Sequence, residues 1–402
     1  MVRQIVIYFI FLASVSFFNL TYLPKNIALV LSFGAVILML LTVIITLIYD
    51  RGKRFHQNFG IEVGLIFLSL ALAIYGAKWG HDQDFLLTIW VLSNMYFFLF
   101  YFFLHAVRMR PEELQKMMVV MGILYISFFL IQYVMYPRMI FGGRAQEMRG
   151  TIRIFLPGSA FAGLIFYYGL QQALTTEKKI WGFYCLLFLI IPLLQGTRSS
   201  IITLLLGAFI FILFSRQVKS KILIFMLLLA SAAIAFVIFR DIIMNLVLVS
   251  QEQAAQEGDD IRVRSARFFL FDFYPSSLNY LIGNGESHMM SAYGMRIWYY
   301  KSNYGFYQND LGILGEYIKF GVLFVICVVL IFRKLFSIKV SPDYSYFRFW
   351  ALILILDELM GGAFTKPNSI VVIASVLYII DVSNFELKHP DVLVNVGDKI
   401  RT

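Results

Sequence analysis

The chain has 402 residues, 60% of them hydrophobic and only 14% charged, with a formal net charge of +10. Soluble domains carry about 25% charged residues, so this composition excludes an ordinary soluble globular protein. The apolar runs are continuous, which excludes a β-barrel of alternating strands, and the bases lie in loops between the runs, which is not a nucleic-acid signature.

Taken in chain order, runs able to span a membrane fall at 5–20, 27–49, 60–77, 85–106, 114–136, 157–173, 180–194, 199–214, 222–239, 310–332, 347–359 and 369–382. They predict an all-α polytopic membrane protein of about twelve transmembrane helices. The helices form a single integral membrane domain over residues 1–402. Arg3 leads an apolar run to Phe18 with no small-residue cleavage site before Pro24, so the first run reads as a retained helix. Cys185 and Cys327 fall inside apolar runs and read as buried thiols, without a disulfide or metal framework. No internal repeat is visible, which weighs against a transporter built of two halves.

Lys and Arg orient the chain. Arg51, Lys53, Arg54, Arg108, Arg110, Lys178, Lys179, Arg216, Lys219, Lys221, Arg333, Lys334 and Lys339 follow the even-numbered spans, and the tails add Arg3, Lys388, Lys399 and Arg401. These loops and both termini are therefore expected in the cytoplasm. Two loops on the opposite, outer side run against that bias. The shorter, 137–155, holds Arg138, Arg144, Arg149 and Arg153 against the single acid Glu147; the longer, 240–308, holds Arg262, Arg264, Arg267, Arg296 and Lys301. Long loops are largely exempt from the charge rule, but the shorter one is not. Its arginines suggest an anionic ligand at the membrane interface.

Guanidinium groups grip phosphate oxygens in a planar fork, so Arg144, Arg149 and Arg153 can cradle a diphosphate, or else pair with lipid head groups and Glu147. The turn Gln195-Gly196-Thr197-Arg198-Ser199-Ser200 has a capping hydroxyl at Thr197 or Ser199 and puts Arg198 beside a helix N-terminus. That is a ready anion site; the alternative is a tight turn with a snorkelling arginine. In the long loop, 262–274 reads as an amphipathic segment on the membrane surface, and Gly283-Asn284-Gly285 as a tight turn. Trp298, Tyr299, Tyr300, Tyr304 and Tyr307 can stack on sugars or form an interfacial belt. Asp310 has N-cap chemistry for the span that follows and is also a candidate base; His288 is the other candidate. Glu316 and Lys319, spaced to pair with each other, and Asp357-Glu358 are ionisable groups within spans and so functional candidates. His81-Asp82-Gln83-Asp84 contains an Asp-x-Asp pair that could hold a metal. No P-loop, dinucleotide fingerprint, zinc spacing or serine-hydrolase elbow is present.

Four stretches in this order resemble the O-antigen polymerase and ligase superfamily. They are Arg149-Gly150-Thr151 leading to Phe155-Leu156-Pro157-Gly158-Ser159-Ala160; Gly196-Thr197-Arg198-Ser199-Ser200; Arg267 ahead of Leu281-Ile282-Gly283-Asn284-Gly285; and Asn309-Asp310-Leu311-Gly312 with Phe320-Gly321-Val322-Leu323. The resemblance implies a GT-C-like, Wzy-type glycosyltransferase of the bacterial inner membrane, inverting and without metal or cofactor. It would pass a growing glycan from undecaprenyl diphosphate to the next lipid-linked repeat unit at the outer face. Donor and acceptor oligosaccharide lipids and membrane lipids are the implied partners, with room for a chain-length regulator and none for nucleic acid. Arg144, Arg149, Arg153, Arg198 and Arg267 would hold diphosphate, and Asp310 or His288 would act as base. The alternatives are an O-antigen ligase and a transporter or flippase of the same lipids. Ligases carry a histidine just before the Asn309 helix, and this chain has Gln308 there.

Overall fold

The computed structural model describes residues 2–49, 57–148, 151–176, 180–195, 197–214, 244, 261–361 and 364–389. These are overwhelmingly helical, as a hydrocarbon solvent requires: with no water available, each backbone N–H and C=O must be bonded within its own segment. In order come α1 (Val2–Ser14), α2 (Lys25–Tyr49), α3 (Gly60–His81), α4 (Phe85–Val107), α5 (Pro111–Met135), α6 (Ser159–Thr175), α7 (Ile180–Leu194) and α8 (Arg198–Phe214). The described chain resumes with α9 (Ile261–Arg267), α10 (Ser277–Ile282), α11 (Ala292–Tyr304), α12 (Ile313–Ser337), α13 (Tyr346–Gly361) and α14 (Pro367–Lys388).

Six of these, α2 to α5, α12 and α14, are long and apolar enough to cross a membrane; α1, α7 and most of α8 are apolar but shorter. Each expected span that falls on described residues meets a helix, while 222–239 lies outside them. The first helix ends early, in a turn at Ser16–Asn19 whose residues all take positive φ. Elsewhere helix ends follow ordinary local chemistry. Asp84 caps α4 by accepting the Leu86 N–H at 2.7 Å, and Pro111 and Pro367 occupy first-turn positions of α5 and α14.

The bundle is built around α14. Of its apolar stretch 78% is buried inside the protein, against 11% for α2, which lies at the periphery. Helix α3 packs on α12, α5 and α7 on α6, and α8 on α13. The basic loop at 137–155 is a hairpin, β1 (Ala145–Met148) against β2 (Thr151–Ile154), antiparallel with Gln146 opposite Arg153. It is tied to the end of α1 by Gly142 N–H to the Phe18 carbonyl and Thr21 N–H to the Ile140 carbonyl, both at 2.9 Å.

In the long loop the structure differs from the sequence reading. The aromatic residues after α9 do not all lie on a membrane surface: Phe269 and Phe273 turn inward and form a small core with Tyr293, Phe306, Leu311 and Ile318. The Arg262–Arg267 turn serves as the lead into that core. Residues 240–260 of the expected loop lie outside the described ones.

Candidate active site

The site begins with a break in a membrane helix. Gly321 in α12 has φ 76° and ψ −176°, far from helical, and this frees carbonyls in the turn before it. The segment Gly283-Asn284-Gly285 supplies their partners. Asn284 N–H donates to the Ile318 carbonyl at 2.9 Å and Gly285 N–H to the Lys319 carbonyl at 2.8 Å, and Asn284 Nδ2 reaches Ile318 again at 3.1 Å. So this stretch is not a tight turn; it is an extended plug seated in the kink. Glycine is required on both sides of the contact. A Cβ on Gly283 would strike the Lys319 carbonyl and one on Gly321 the Leu281 carbonyl, and both residues have positive φ.

The plug is held from the other side by the end of α3 and the loop after it. His81 Nε2 meets Asn284 Oδ1 at 3.0 Å. Since Asn284 Nδ2 already donates to Ile318, its Oδ1 is the acceptor, which puts the proton on His81 Nε2 and leaves Nδ1 to accept from Arg296. The imidazole stacks on Tyr293 with centroids 4.0 Å apart. Gln83 uses its whole amide. Its Nε2 donates to the Glu286 carbonyl at 2.8 Å and the Thr88 hydroxyl at 2.9 Å, and its Oε1 accepts the His288 N–H at 2.9 Å and the Ser291 hydroxyl at 2.7 Å. Burial pushes the Tyr293 hydroxyl above its usual range, so it is a neutral donor, reaching the Gly285 carbonyl at 3.3 Å.

This framework presents Glu286 to Lys319, with Oε2 and Nζ 2.6 Å apart; Lys319 also donates to Asn309 Oδ1. The expected pairing of Lys319 with Glu316 is thus replaced by a pairing with the loop. Glu316 points elsewhere, toward the Glu358 carboxyl and the Thr365 hydroxyl. Gly312 opens α12 against the Glu358 and Leu359 carbonyls, where a Cβ would not fit. That close approach is what brings α12 and α13 near enough for the two carboxyls to meet.

Around these groups lies a cavity of about 300 Å³. Its polar lining includes Asn94, Glu286, Gln308, Asn309, Glu316, Lys319 and Lys366. A second cavity, of about 290 Å³, adjoins it and also has Lys366 in its wall, with Gln195, Thr197, Ser200, Thr203 and Asp357. Asp357 lies beside Lys366 and the Thr203 hydroxyl. Both cavities sit at the same end of the bundle and are near the lower limit for small-molecule sites.

Of the residues singled out in the sequence, Arg153 is closest to this arrangement. Its Nε donates to the Gln195 carbonyl at 3.1 Å, and Gln195 Nε2 returns a bond to Ile154 at 3.0 Å, so the hairpin is fastened to the wall of the second cavity. Arg144 is exposed, bonded to Gln146 at 3.2 Å and stacked over Phe155. Glu147 is taken by the Tyr136 hydroxyl at 2.9 Å. Arg149 and the side chain of Arg198 lie outside the described residues, although the backbone of Arg198 opens α8 at the second cavity. Thr197 does not cap that helix through its hydroxyl, which donates to the Pro192 carbonyl at 3.2 Å. Arg267 is exposed and lines neither cavity.

The two proposed bases are also placed away from the cavities. Asp310 is exposed in the turn Gln308–Leu311, and α12 starts after it at Ile313, with Gly312 rather than Asp310 in the cap position. The lone pair of His288 Nδ1 accepts the Met290 N–H at 3.2 Å. Of the Asp-x-Asp pair, Asp82 bonds Lys78 and Asp84 caps α4. Neither the pair nor any other group of acids, histidines and cysteines among the described residues makes a metal cluster. What sequence reasoning missed is that His81 and Gln83, the residues alternating with those acids, carry the framework. The signal available was their polarity beside a helix end.

No family model matches this chain, and no curated protein is significantly similar to it. The site's chemistry therefore has to carry the functional reading.

Proposed function

We propose that the chain is a membrane glycosyltransferase of the polysaccharide-polymerase type, joining lipid-diphosphate-linked repeat units at the outer face of a bacterial inner membrane. In this reading about twelve spans cross the membrane with both termini in the cytoplasm, and the cavity end faces outward. The supporting observation is the pair of neighbouring cavities, each with polar groups set in a largely apolar wall and with Lys366 in the wall of both. Two substrates that must meet need two compartments with a common wall.

The chemistry of the two compartments differs in the way this reaction demands. The second cavity meets the start of α8, with its unbonded N–H groups, and has Lys366 and the Arg153-bearing hairpin at its wall. It suits a diphosphate, whose charge grows as it leaves and is stabilised by fixed cations in a partly dry site. The first cavity offers amides and carboxyls from Asn94, Gln308, Asn309, Glu286 and Glu316, a set suited to sugar hydroxyls. Gln308, where ligases have histidine, lines that cavity, and an amide cannot take up a proton; this favours polymerase over ligase.

The test is surface glycan resolved by gel in cells carrying Arg153→Ala or Lys366→Ala. A polymerase so altered loses long chains and keeps single-unit material. A ligase loses attached glycan altogether, and unaltered glycan in both variants overturns either enzymatic reading.

A further inference from the structure

Glu316 is 3% exposed, and both its carboxyl oxygens lack a hydrogen-bond donor of normal geometry among the described residues. Its neighbours are the Glu358 carboxyl and the Thr365 hydroxyl. Burying two carboxyls side by side, with a hydroxyl as the other polar neighbour, is unfavourable, and such a pair persists when something other than stability maintains it. Lys319, the nearest cation on its own helix, is engaged by Glu286 and Asn309. Glu316 lines the first cavity. Glu358 stands behind it and does not line that cavity; its Oε2 accepts the Phe364 N–H at 2.8 Å.

From this geometry we infer that Glu316 is the proton acceptor of the transfer reaction, with Glu358 as the residue that positions it. The inference rests on the polymerase reading above and deepens it. The acceptor sugar hydroxyl occupies the first cavity and the donor's anomeric carbon lies at the junction with the second. The hydroxyl oxygen forms its bond to the anomeric carbon while the bond from that carbon to the diphosphate oxygen breaks. The electron pair departs on the lipid diphosphate, and the hydroxyl proton passes to an oxygen of Glu316, the one proton that the two carboxyls share resting on Glu358. Nothing else is consumed. Gln308 stands on the same cavity wall to orient the sugar, while Glu286 and Asn309 stay committed to Lys319.

The arrangement explains why the acid comes from a membrane helix. A base on the exposed loop would be open to water, which competes with the acceptor for the donor. Recessed between α12 and α13, a carboxyl meets only what enters the cavity. Asp310, by contrast, is solvent-exposed.

The test uses the full-length protein in vesicles, supplied with undecaprenyl-diphosphate-linked oligosaccharide of the repeat that its host makes, with chain extension read by gel. Glu316→Gln is expected to lower kcat about a hundredfold or more while KM for the donor lipid stays near that of the wild type. Glu358→Gln is expected to lower kcat less and to displace the pH–rate profile. Arg153→Ala should do the reverse of Glu316→Gln, raising KM. Extension by the wild type together with wild-type kcat and pH profile in Glu316→Gln overturns this assignment alone. Failure of the wild type to extend the probe overturns the polymerase reading, and the assignment with it. Should Glu316→Gln not fold, as judged by gel filtration, Glu358→Gln carries the test: an unchanged pH profile overturns the assignment.

Discussion

At the end of the bundle away from the cavities, Asp381 of α14 accepts hydrogen bonds from the Tyr101 hydroxyl and from the N–H and side-chain amide of Asn58, the latter two at 3.2 and 2.9 Å. His105 lies 3.4 Å away. Glu62 of α3 meets Lys334 of α12 at 2.6 Å, and Lys334 also donates to the Asn58 carbonyl at 2.8 Å. At the cavity end, on the same helix α12, Glu316 faces open space with a second carboxyl for its neighbour. A cleft of about 390 Å³ exists at the far end too, with two acids in its wall, Glu386 and Asp381, the latter already taken. Buried charge at the far end joins α3, α4, α12 and α14 to one another. At the cavity end Glu316 lines a cavity instead. Burial and ionisability are shared by both ends, so neither property alone marks a functional group; what distinguishes the site is an acid whose nearest ionisable neighbour is a second acid.

Removing the far-end carboxylate should break the fold outright. Asp381→Ala strands the Tyr101 and Asn58 donors against the most buried helix, and truncating one member of a buried charged network costs about 3–5 kcal/mol. A collapse of thermal stability in detergent is expected, with activity lost only because folded protein is lost; a melting temperature equal to wild type would remove the contrast between the two ends. Gly321→Ala comes next. It forces a side chain into a positive φ and against the Leu281 carbonyl, and a strained backbone of that kind costs about 1–3 kcal/mol before any clash. Cysteine accessibility at Gly285 offers a second readout, since the plug should leave the kink.

Much of this was legible from sequence and some was not, for identifiable reasons. The helices were legible because a membrane segment is specified by local composition and length. Gly321 was visible as a residue, as was Gly283-Asn284-Gly285. Their contact was not, because it spans 34 residues between Asn284 and Ile318 and leaves no periodicity. Glu316 and Lys319 stood out as ionisable groups within a span, but the helical spacing that suggests a pair between them lost to a loop acid, Glu286, arriving from outside the helix. Arginine clusters drew attention to the hairpin, where Arg153 does meet the cavity wall. Asp310 drew attention by its capping chemistry, which Gly312 displaced because α12 must approach the Glu358 backbone too closely for a side chain.

Two substitutions on one face of α12 sharpen the comparison in opposite directions. Lys319→Met leaves the Glu286 carboxylate without its cation and Asn309 without its donor. Stability should fall by about 3 kcal/mol, toward the low end of what breaking a buried pair costs, and the loop of residues 283–288 should gain amide exchange. Glu316→Leu should instead raise stability, by about 1–2 kcal/mol, because it relieves the crowding of two buried carboxyls, and replacing buried ionisable groups by apolar ones is often neutral or stabilising. It should abolish chain extension at the same time. A variant that is more stable and inactive is the signature of a group kept for chemistry, and a Glu316→Leu protein that melts lower would place Glu316 with Asp381 as a structural residue.

The smallest expected effect separates the two acids that sequence reading treats as a pair. Asp84 accepts the Leu86 N–H at 2.7 Å and begins α4; losing a cap of this kind costs about 1 kcal/mol. Asp82 is exposed and bonds only Lys78 one turn earlier, an arrangement screened by solvent and salt. Asp84→Ala should therefore lower the melting temperature modestly, Asp82→Asn, which keeps a residue type tolerated at the left-handed φ of 51° there, should leave it unchanged, and neither should respond to added magnesium or manganese. If both variants lose extension and divalent cations restore it, the acids act together on a metal, and the division between framework residues His81 and Gln83 and their flanking acids fails. If only the Asp84 variant changes, and only in stability, the loop between α3 and α4 is a clamp whose charges end a helix and begin the next while its uncharged side chains hold the site.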